Sequence, residues 1–410
     1  MRIGLFTESY PPLINGVSTS VQTLIAQLEH AGHDVFVFTS RYPKYKDARP
    51  HVYRYPSVNS LVEPDYVLPV PVSPAIAAAI PRLKLDLVHS QSPFLLGLLA
   101  RRIARRYGLP HLSTNHTLYS EYAHYVPLLP RAVTRRVIIR WMHGFYNSCD
   151  HVLAPSELTR SRLQAYGVLA PISVVPTGIP APPFLLAKPA DTKRELGLSP
   201  NARLLLYVGR LAPEKNLGML LLAFQRISQK APDTFLVLAG SGGSAAALRR
   251  RAKQLGIEGR TIFTGFVGRT RLDPLYAASD LFLFPSKTET QGLAVGEALA
   301  AGTPCVVVNG GGAPEAIRNG INGFVVEDDP AQMAGCALRL LEDEPLRRRL
   351  AAEALAGAAQ MTPEHVARRI LVLYEGLVAQ RKHGGQPPSP IAAELIDREA
   401  PPGSAPPTHV

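Results

Sequence analysis

The sequence predicts an α/β protein with two parallel-sheet domains, each covered by helices on both faces. At the start of the chain an apolar strand, Arg2–Thr7, leads through a loop and a helix to a second strand, Val35–Thr39. The same order returns with strands Arg203–Val208 and Thr234–Ala239. Two such openings imply two separate sheets. The 410 residues are also enough, at about 150 per domain, for two or three domains.

The first domain is predicted over residues 1–180. Ser18 is expected to cap its first helix, which carries an apolar stripe from Val21 to Leu28. The further strands expected are Asp86–His89, Pro110–Thr114, His151–Ala154 and Ile172–Pro176. The further helices expected are Phe94–Tyr107 and Arg131–Ser148.

The second domain is predicted over residues 181–362, because Thr177–Ser199 holds four prolines and little periodicity. Its further strands are expected at Thr261–Phe266, Asp280–Pro285, Pro304–Val308 and Gly323–Glu327. Its helices are expected at Leu217–Gln229, Ala245–Leu255, Leu293–Ala301, Pro330–Glu342 and Pro345–Ala358. A last helix is expected at Pro363–Arg381. Residues 384–410, with seven prolines, are expected to form a disordered tail.

Charge and cysteine content indicate which partners and which cell compartment suit the chain. The chain has 44 Lys and Arg against 32 Asp and Glu, and residues 1–180 hold 18 against 10. A basic first half predicts an anionic partner, such as nucleic acid, an acidic membrane surface or a phosphorylated substrate. The widely spaced Cys149, Cys305 and Cys336 favour neither a disulfide framework nor a zinc site, and they fit a reducing cytosol. No run reaches the roughly 18 apolar residues that cross a bilayer.

One loop combines two cations with a helix start. The segment reads Gly209-Arg-Leu-Ala-Pro-Glu-Lys-Asn216, between a strand and the following helix. Arg210 and Lys215 therefore lie where backbone N–H groups already favour anions, which suits a diphosphate. The alternative is a solvated turn with incidental charges.

A second loop supplies carboxylates. After the strand Asp280–Pro285, Glu289 is expected in a polar loop and Glu297 about one turn into the next helix. Both can accept hydrogen bonds from sugar or ribose hydroxyls. The amides around Gly292 can meet a phosphate. The alternative is that Glu297 pairs inside the fold and Glu289 is a surface residue.

In the first domain, His116 directly follows a strand, where ligands of open parallel sheets bind. It is a functional candidate, although a lone histidine is often a structural hydrogen-bonding residue. Gly16, before the first helix, lets a ligand approach the backbone, or else is an ordinary turn glycine.

The helix Arg131–Ser148 is basic and amphipathic. Two interpretations stay open: the helix lies in an anionic membrane interface, or its apolar face packs on the sheet and its arginines are solvated. The candidate membrane-surface residues are Arg131, Arg135, Arg136, Arg140 and Trp141.

Together these motifs resemble the retaining glycosyltransferases of the glycogen-synthase-like family 4 group, over nearly all of residues 1–381. The resemblance implies the GT-B fold, in which two Rossmann-like domains face each other across a cleft. It also implies that the last helix crosses back to the first domain.

The resemblance further implies site roles. Arg210 and Lys215 would hold the donor diphosphate, Glu289 the transferred sugar and Glu297 the ribose, with His116 near the reacting centre. No metal and no cofactor are implied, because the two cations and the helix dipole neutralise the diphosphate. Many members have an aromatic residue in place of Gln291. The remaining donor-binding residues implied are Gly16, Gln291, Gly292 and Leu293.

A closer likeness is to bacterial diacylglycerol α-glucosyltransferases, through Phe6-Thr-Glu-Ser-Tyr-Pro-Pro12 and the segment from His116 to Tyr125. It implies a retaining, cytoplasmic enzyme, peripheral on the inner face of the cell membrane. The enzyme would transfer a hexose, with UDP-glucose or UDP-galactose favoured, to a lipid such as diacylglycerol.

Three alternatives stay open. GDP-mannose-dependent mannosyltransferases share much of the N-terminal pattern. A soluble transferase acting on a sugar or small metabolite is also compatible. A non-catalytic, nucleic-acid-binding pair of domains is suggested only by the net charge of +12, and no nucleic-acid partner is expected.

Overall fold

The computed structural model contains two parallel sheets, as predicted, and describes residues 1–60, 66–121, 130–180 and 189–382. The chain divides into two units. The first is Met1–Gly178 together with the helix that begins at Pro363, and the second runs from Ile179 to Thr362. The expected tail and residues 122–125 lie outside the described residues.

A seven-stranded sheet organises the first unit. The strands of this unit are β1 (Arg2–Phe6), β2 (Asp34–Ser40), β3 (Val52–Tyr55), β4 (Ser57–Asn59), β5 (Val67–Pro69), β6 (Leu87–Ser90), β7 (His111–Thr114), β8 (His151–Ala154) and β9 (Ile172–Val174). The sheet order is β3-β2-β1-β6-β7-β8-β9 with parallel neighbours, and β4 and β5 form a separate antiparallel hairpin.

Helices cover both faces of this sheet. They are α1 (Gly16–His30), α2 (Pro74–Leu83), α3 (Leu95–Tyr107), α4 (Arg131–Tyr146) and α5 (Glu157–Ala165). On one face Val21 and Ile25 of α1 pack against Leu5 of β1. On the other, Phe38 of β2 belongs to a cluster with Leu96 of α3. Both faces of the central strands are therefore buried, which explains their near-continuous apolar sequences.

The first helix begins earlier than predicted. Asn15, in extended backbone, is its N-cap, and the Asn15 Oδ1 accepts a hydrogen bond from the Ser18 N–H at 2.8 Å. The prediction of Ser18 as the cap was wrong. Both residue types favour caps, and Asn15 is the one whose backbone is extended at the helix start.

The second unit holds a six-stranded parallel sheet, in the order β12-β11-β10-β13-β14-β15. Its strands are β10 (Arg203–Val208), β11 (Thr234–Ala239), β12 (Thr261–Gly265), β13 (Leu281–Phe284), β14 (Cys305–Val308) and β15 (Gly323–Val326). Its helices are α6 (Pro189–Glu195), α7 (Leu217–Lys230), α8 (Ala245–Gln254), α9 (Arg269–Ala278), α10 (Leu293–Ala300), α11 (Pro330–Glu342) and α12 (Glu344–Ala358).

Several short elements were not predicted: β3, the β4–β5 hairpin, α2, α5, α6 and α9. Two of these helices contain an internal proline, Pro81 in α2 and Pro274 in α9. Proline usually ends or kinks a helix, so it conceals the helical pattern in a sequence. The other elements are too short to show a period.

The last helix, α13 (Pro363–Lys382), packs on the first unit, as predicted. Its Tyr374 hydroxyl lies 2.6 Å from Nδ1 of His89 in β6, and Nε2 of His89 lies 2.7 Å from the Thr114 hydroxyl. Burial holds the pKa of His89 well below its usual range, so the imidazole is neutral. One buried ring thus joins α13 to two strands.

We expect Tyr374→Phe to lower the free energy of unfolding by about 1–3 kcal/mol, because it leaves a buried ring nitrogen of His89 without its partner. Urea denaturation measures the change. Tyr107→Phe, at a more exposed tyrosine of α3, is the matched control and should change it by less than about 0.5 kcal/mol. Equal effects of the two substitutions would contradict the role of this hydrogen bond.

Candidate functional site

Two loops of the second unit meet at one edge of its sheet. β10 and β13 are parallel neighbours, so the loops that follow them, residues 209–216 and 285–292, leave from the same edge. The first loop carries Arg210 and Lys215, and the second carries Glu289. Sheet topology therefore brings together the cations and a carboxylate that lie far apart in sequence.

The central contact of the site is an ion pair between these loops. Nζ of Lys215 donates to Oε1 of Glu289 at 2.5 Å, and the Ser286 hydroxyl donates to the same oxygen at 2.9 Å. Both side chains of the pair are largely buried. Glu289 is therefore no isolated surface residue, and its carboxylate is fixed by a cation and a hydroxyl.

Arg210 is held at the rim by the acid four residues later. Its Nη2 donates to Oε1 of Glu214 at 2.8 Å, and Glu214 is nearly buried while Arg210 remains exposed. A guanidinium has five N–H donors in a planar fork. One nearly buried acid thus orients an arginine whose side chain is 43% exposed.

A third loop is hydrogen-bonded to these two loops at the same edge of the sheet. Asn216 Nδ2 donates to Asp328 Oδ1 at 2.6 Å, and Lys287 donates to the other oxygen of Asp328. Hydrogen bonding from Lys287 lowers the pKa of Asp328. Because Asp328 follows β15, this contact links the loops after three strands. The sequence does not reveal this contact, because the partners are distant along the chain.

Two glycines of this unit let neighbouring segments of the chain pack closely together. Gly292 caps α10 with φ +78, and a Cβ there would lie 2.6 Å from Cβ of Ala313. A Cβ on Gly240, with φ +149, would lie 1.9 Å from the carbonyl oxygen of Gly209. These positions therefore require glycine. Gln291 and Leu293, half-buried, flank Gly292 at the start of α10.

Glu297 lies in the first turns of α10, and its carboxylate is bonded inside the unit. Arg269 donates to Oε1, and the Tyr276 hydroxyl donates to Oε2 at 2.8 Å. The internal pairing that the sequence left open is thus present. Each carboxylate oxygen can accept more than one hydrogen bond, so pairing leaves acceptor capacity. Arg269 and Tyr276 belong to α9, which the sequence analysis did not predict.

In the first unit, His116 follows β7 and Gly16 begins α1. Nε2 of His116 lies 2.7 Å from Oε1 of Gln91. Burial lowers the pKa of His116 to about 4, so the ring is neutral at pH 7. Since the amide oxygen only accepts, Nε2 carries the proton and Nδ1 the lone pair. Gln91 was not anticipated from the sequence.

The basic helix α4 divides its apolar residues between two environments. Met142, Phe145 and Tyr146 are buried against the first unit. Val133, Val137 and Trp141, four residues apart, form an exposed stripe, here called the α4 stripe. The packing interpretation is therefore confirmed for the buried residues of α4, and the membrane-interface interpretation stays a prediction for its exposed side. The four arginines of the helix, Arg131, Arg135, Arg136 and Arg140, are exposed.

The α4 stripe continues onto the start of α3. Nε1 of Trp141 donates to the carbonyl oxygen of Pro93 at 2.9 Å, and the next two residues, Phe94 and Leu95, are also exposed. The hydrogen bond therefore brings the exposed start of α3 next to Trp141. Within the described ranges, no helix is both long and apolar enough to span a bilayer.

The pair of parallel sheets defines a class of fold, GT-B. Anabaena HepE, solved in complex with UDP, matches with a TM-score of 0.75 and 21% identity, covering 92% of this chain and 100% of that one. Sucrose-phosphate synthase from Thermosynechococcus elongatus matches with a TM-score of 0.74 and 22% identity, covering 92% and 99%. At these identities the likeness establishes the fold.

Within that class, the chain belongs to glycosyltransferase family 4. The family described as Glycosyltransferase Family 4 matches residues 14–181, and Glycosyl transferases group 1 matches residues 190–356. The protein is therefore a glycosyltransferase.

Similar characterised proteins act on different substrates. Alpha-monoglucosyldiacylglycerol synthase of Streptococcus pneumoniae is 35% identical, over 75% of this chain and 70% of its own length. The synthase of the same name from Acholeplasma laidlawii is 30% identical, over 75% and 80%. A GDP-mannose-dependent alpha-mannosyltransferase of Corynebacterium glutamicum is 27% identical, over 92% and 90%.

We expect the His116 ring to titrate near pH 4, because burial disfavours its charged form. NMR of histidine-labelled protein, assigned with His116→Gln, measures the midpoint. Between the ordinary pKa near 6.5 and this value, the unfolded chain binds the proton more readily, so acidification lowers the free energy of unfolding. A midpoint near 6.5 would contradict the buried, neutral ring.

Proposed function

We propose that the protein is a retaining glycosyltransferase that moves a hexose from a UDP-sugar, UDP-glucose or UDP-galactose, to a lipid acceptor such as diacylglycerol. The observation that carries the proposal is the convergence of Lys215, Glu289 and the nearby Arg210 at one sheet edge. Cations there suit a diphosphate, and the carboxylate suits a sugar hydroxyl. The names of the 35% and 30% identical relatives support the choice of glucose and diacylglycerol.

In this mechanism Lys215 and Arg210 stabilise the departing diphosphate. As the bond between the anomeric carbon and the diphosphate oxygen breaks, negative charge grows on the phosphate. Lys215 and Arg210 stabilise that charge, which lowers the barrier. Lys215 must exchange its bond to Glu289 for one to phosphate, and the released carboxylate then receives a hydroxyl of the transferred sugar.

Transfer proceeds with retention and without a protein nucleophile. The acceptor oxygen attacks the anomeric carbon from the face that the diphosphate leaves, and its proton passes to the departing phosphate oxygen. We assign His116 a role at the reacting centre: because Nε2 donates to Gln91, the Nδ1 lone pair of the neutral ring can accept a hydrogen bond there. No metal is required, because two cations and a helix start meet the diphosphate charge.

The remaining donor contacts follow the family pattern. Glu297 holds the ribose through the acceptor capacity that remains beside Arg269 and Tyr276. Gln291, Gly292 and Leu293 present the amides at the start of α10. Gly16, at the start of α1, is assigned to the donor by the family pattern, since a glycine lets a ligand approach the backbone.

The acceptor side of the proposal rests on the α4 stripe and its arginines. Exposed apolar side chains beside cations are what an anionic bilayer surface binds. We place the enzyme on the cytoplasmic face of the membrane, held peripherally by Val133, Val137, Trp141 and the arginines of α4. An acceptor that remains in the bilayer then meets the first unit without leaving the lipid.

A second candidate is a mannosyltransferase using GDP-mannose. The Corynebacterium glutamicum relative favours it, since that match covers more of this chain than either synthase. Transfer assays with UDP-glucose, UDP-galactose and GDP-mannose, each with and without diacylglycerol in anionic vesicles, separate the candidates. Turnover without lipid would favour a soluble acceptor, and no turnover with any donor would refute the proposal.

Lys215→Ala and Arg210→Ala should each lower turnover by about 10²-fold or more, because charge on the leaving group is then unmatched. Lys193→Ala is the matched control. Lys193 pairs with Asp280, has the same 12% exposed side chain as Lys215, and lies in α6, away from the loops of the site. Near-native turnover in both site variants would contradict the leaving-group role.

Val137→Asp should reduce binding to anionic vesicles by about tenfold or more, because it places a carboxylate where an apolar side chain meets lipid. Vesicle sedimentation measures this. Val372→Asp, on α13 of the same unit, is the control, since Val137 is 56% and Val372 48% exposed. If the two variants bind vesicles equally, the α4 stripe is not a membrane contact.

A further inference from the structure

Glu8 is the acidic residue of the segment Phe6–Pro12, at the carboxyl end of β1. Both oxygens of its carboxylate are bonded to the protein. Oε1 accepts a hydrogen bond from the Leu96 N–H at 2.8 Å, and Oε2 accepts one from the Ser92 hydroxyl. Burial raises the pKa of this carboxyl group. Glu8 is therefore held inside the first unit and is not a solvated surface acid.

The carboxylate caps α3 from a loop that is distant along the chain. The N-cap residue of α3, Phe94, makes no side-chain hydrogen bond to the first turn of the helix. The N–H groups of a first turn need acceptors from elsewhere, and a carboxylate is favoured at that end of a helix. Glu8 supplies the acceptor for Leu96 across 88 positions of sequence. Because it also binds Ser92, it holds the loop between β6 and α3.

Two further contacts fix this loop. The N–H of Gln91 donates to the carbonyl oxygen of Phe6 at 2.8 Å, directly after β6. A Cβ on Gly97 would lie 1.9 Å from the carbonyl oxygen of Ser92, so the first turn of α3 packs on the loop backbone and requires glycine there. The loop after β6 is thus held at its start, at its middle and at the helix that follows.

The same loop meets the segment that carries His116 at two points. Oε1 of Gln91, which is 3% exposed, lies 2.7 Å from Nε2 of His116. The Phe94 ring contacts the Tyr119 ring edge-on, with the ring centroids 4.8 Å apart. Since β6 and β7 are parallel neighbours, both segments leave the same edge of the sheet. The position of the His116 ring therefore depends on the loop that Glu8 holds.

We propose that Glu8 is a positioning residue for His116. By holding Ser92 and the start of α3, it keeps the amide oxygen of Gln91 where the imidazole N–H donates to it. The inference rests on the proposed function, in which His116 has a role at the reacting centre. A displacement of about 1 Å at a reacting group can lower the rate by about 10²-fold, so a loop anchor outside the reacting groups affects turnover.

NMR of the full chain without donor tests the positioning directly. The probe is the Nε2–H signal of His116 in histidine-labelled protein, assigned with His116→Gln. Glu8→Ala should abolish or shift this signal, because the loop loses its anchor. Glu8→Gln should retain it, since the amide oxygen can accept from Leu96 while the amide N–H donates to the Ser92 oxygen.

Asp86→Ala is the matched control. Asp86 is also partly buried in the first unit, and its Oδ2 accepts the N–H of Arg2 at 2.7 Å. It precedes β6, at the amino end of the strand whose carboxyl end leads to the Glu8 contact. The His116 signal should be unchanged in this variant. Its loss there would assign the effect to general destabilisation and contradict the proposal.

Turnover gives a second readout, with whichever of UDP-glucose, UDP-galactose and GDP-mannose is transferred. Glu8→Ala should lower kcat by about tenfold or more and change KM for the donor by less than about twofold, because the charged donor contacts proposed above are in the second unit. Glu8→Gln and Asp86→Ala should stay within about threefold of the unmodified protein.

Ser92→Ala guards against misfolding of Glu8→Ala. It keeps the acceptor for Leu96 and removes only the hydroxyl that joins Glu8 to the loop after β6. We expect the His116 signal to shift and kcat to fall by about threefold or more.

Two further results would overturn the inference. One is a His116 signal that is unchanged in both Glu8→Ala and Ser92→Ala. The other is an equal loss of turnover in Glu8→Gln and Glu8→Ala with the signal retained in both, which would make Glu8 a contact of the substrate. An absence of turnover in the unmodified protein would refute the proposed function, and the NMR result would still decide the role of Glu8.

Discussion

The ion pair between Lys215 and Glu289 is the interaction on which the account of the site depends. It joins the loops after β10 and β13, and both charges are largely buried. Burying an ion pair costs desolvation that its attraction barely offsets, so such a pair adds little to stability. The pair instead holds an ammonium group and a carboxylate side by side at one edge of the sheet. Under the proposed function, a bound diphosphate sugar would offer each charge a new partner, an anion for the lysine and a hydroxyl for the carboxylate.

The parallel sheets make this pairing possible. Every strand of the second unit sends its loop to one edge, and glycines such as Gly240 let neighbouring loops pack backbone against backbone. The first unit has the same arrangement of parallel strands, but different residues follow the carboxyl ends of its strands. Its edge carries a neutral histidine, a capped helix start and the exposed α4 stripe. One architecture thus carries buried charges at the strand ends of one unit and exposed apolar side chains at those of the other.

The sequence was sufficient for both sheets except the edge strand β3, because most of their strands are apolar runs between glycine- and proline-rich loops. It also located Lys215 and Glu289 at strand ends. It did not show which side chains meet, since Arg269 reaches Glu297 from a helix that Pro274 conceals. Nor did periodicity show that Phe145 is buried while Val137 is exposed, because the apolar arc of α4 is wider than its contact with the fold.

A crystal structure of the complex with a UDP-hexose tests the central claim most directly. The account predicts that Nζ of Lys215 lies about 3 Å from an oxygen of the diphosphate, with Glu289 turned to a hydroxyl of the hexose. The ion pair between Lys215 and Glu289, which is present without donor, would then be broken. A bound donor with its diphosphate elsewhere, and with Lys215 still bonded to Glu289, would contradict the account.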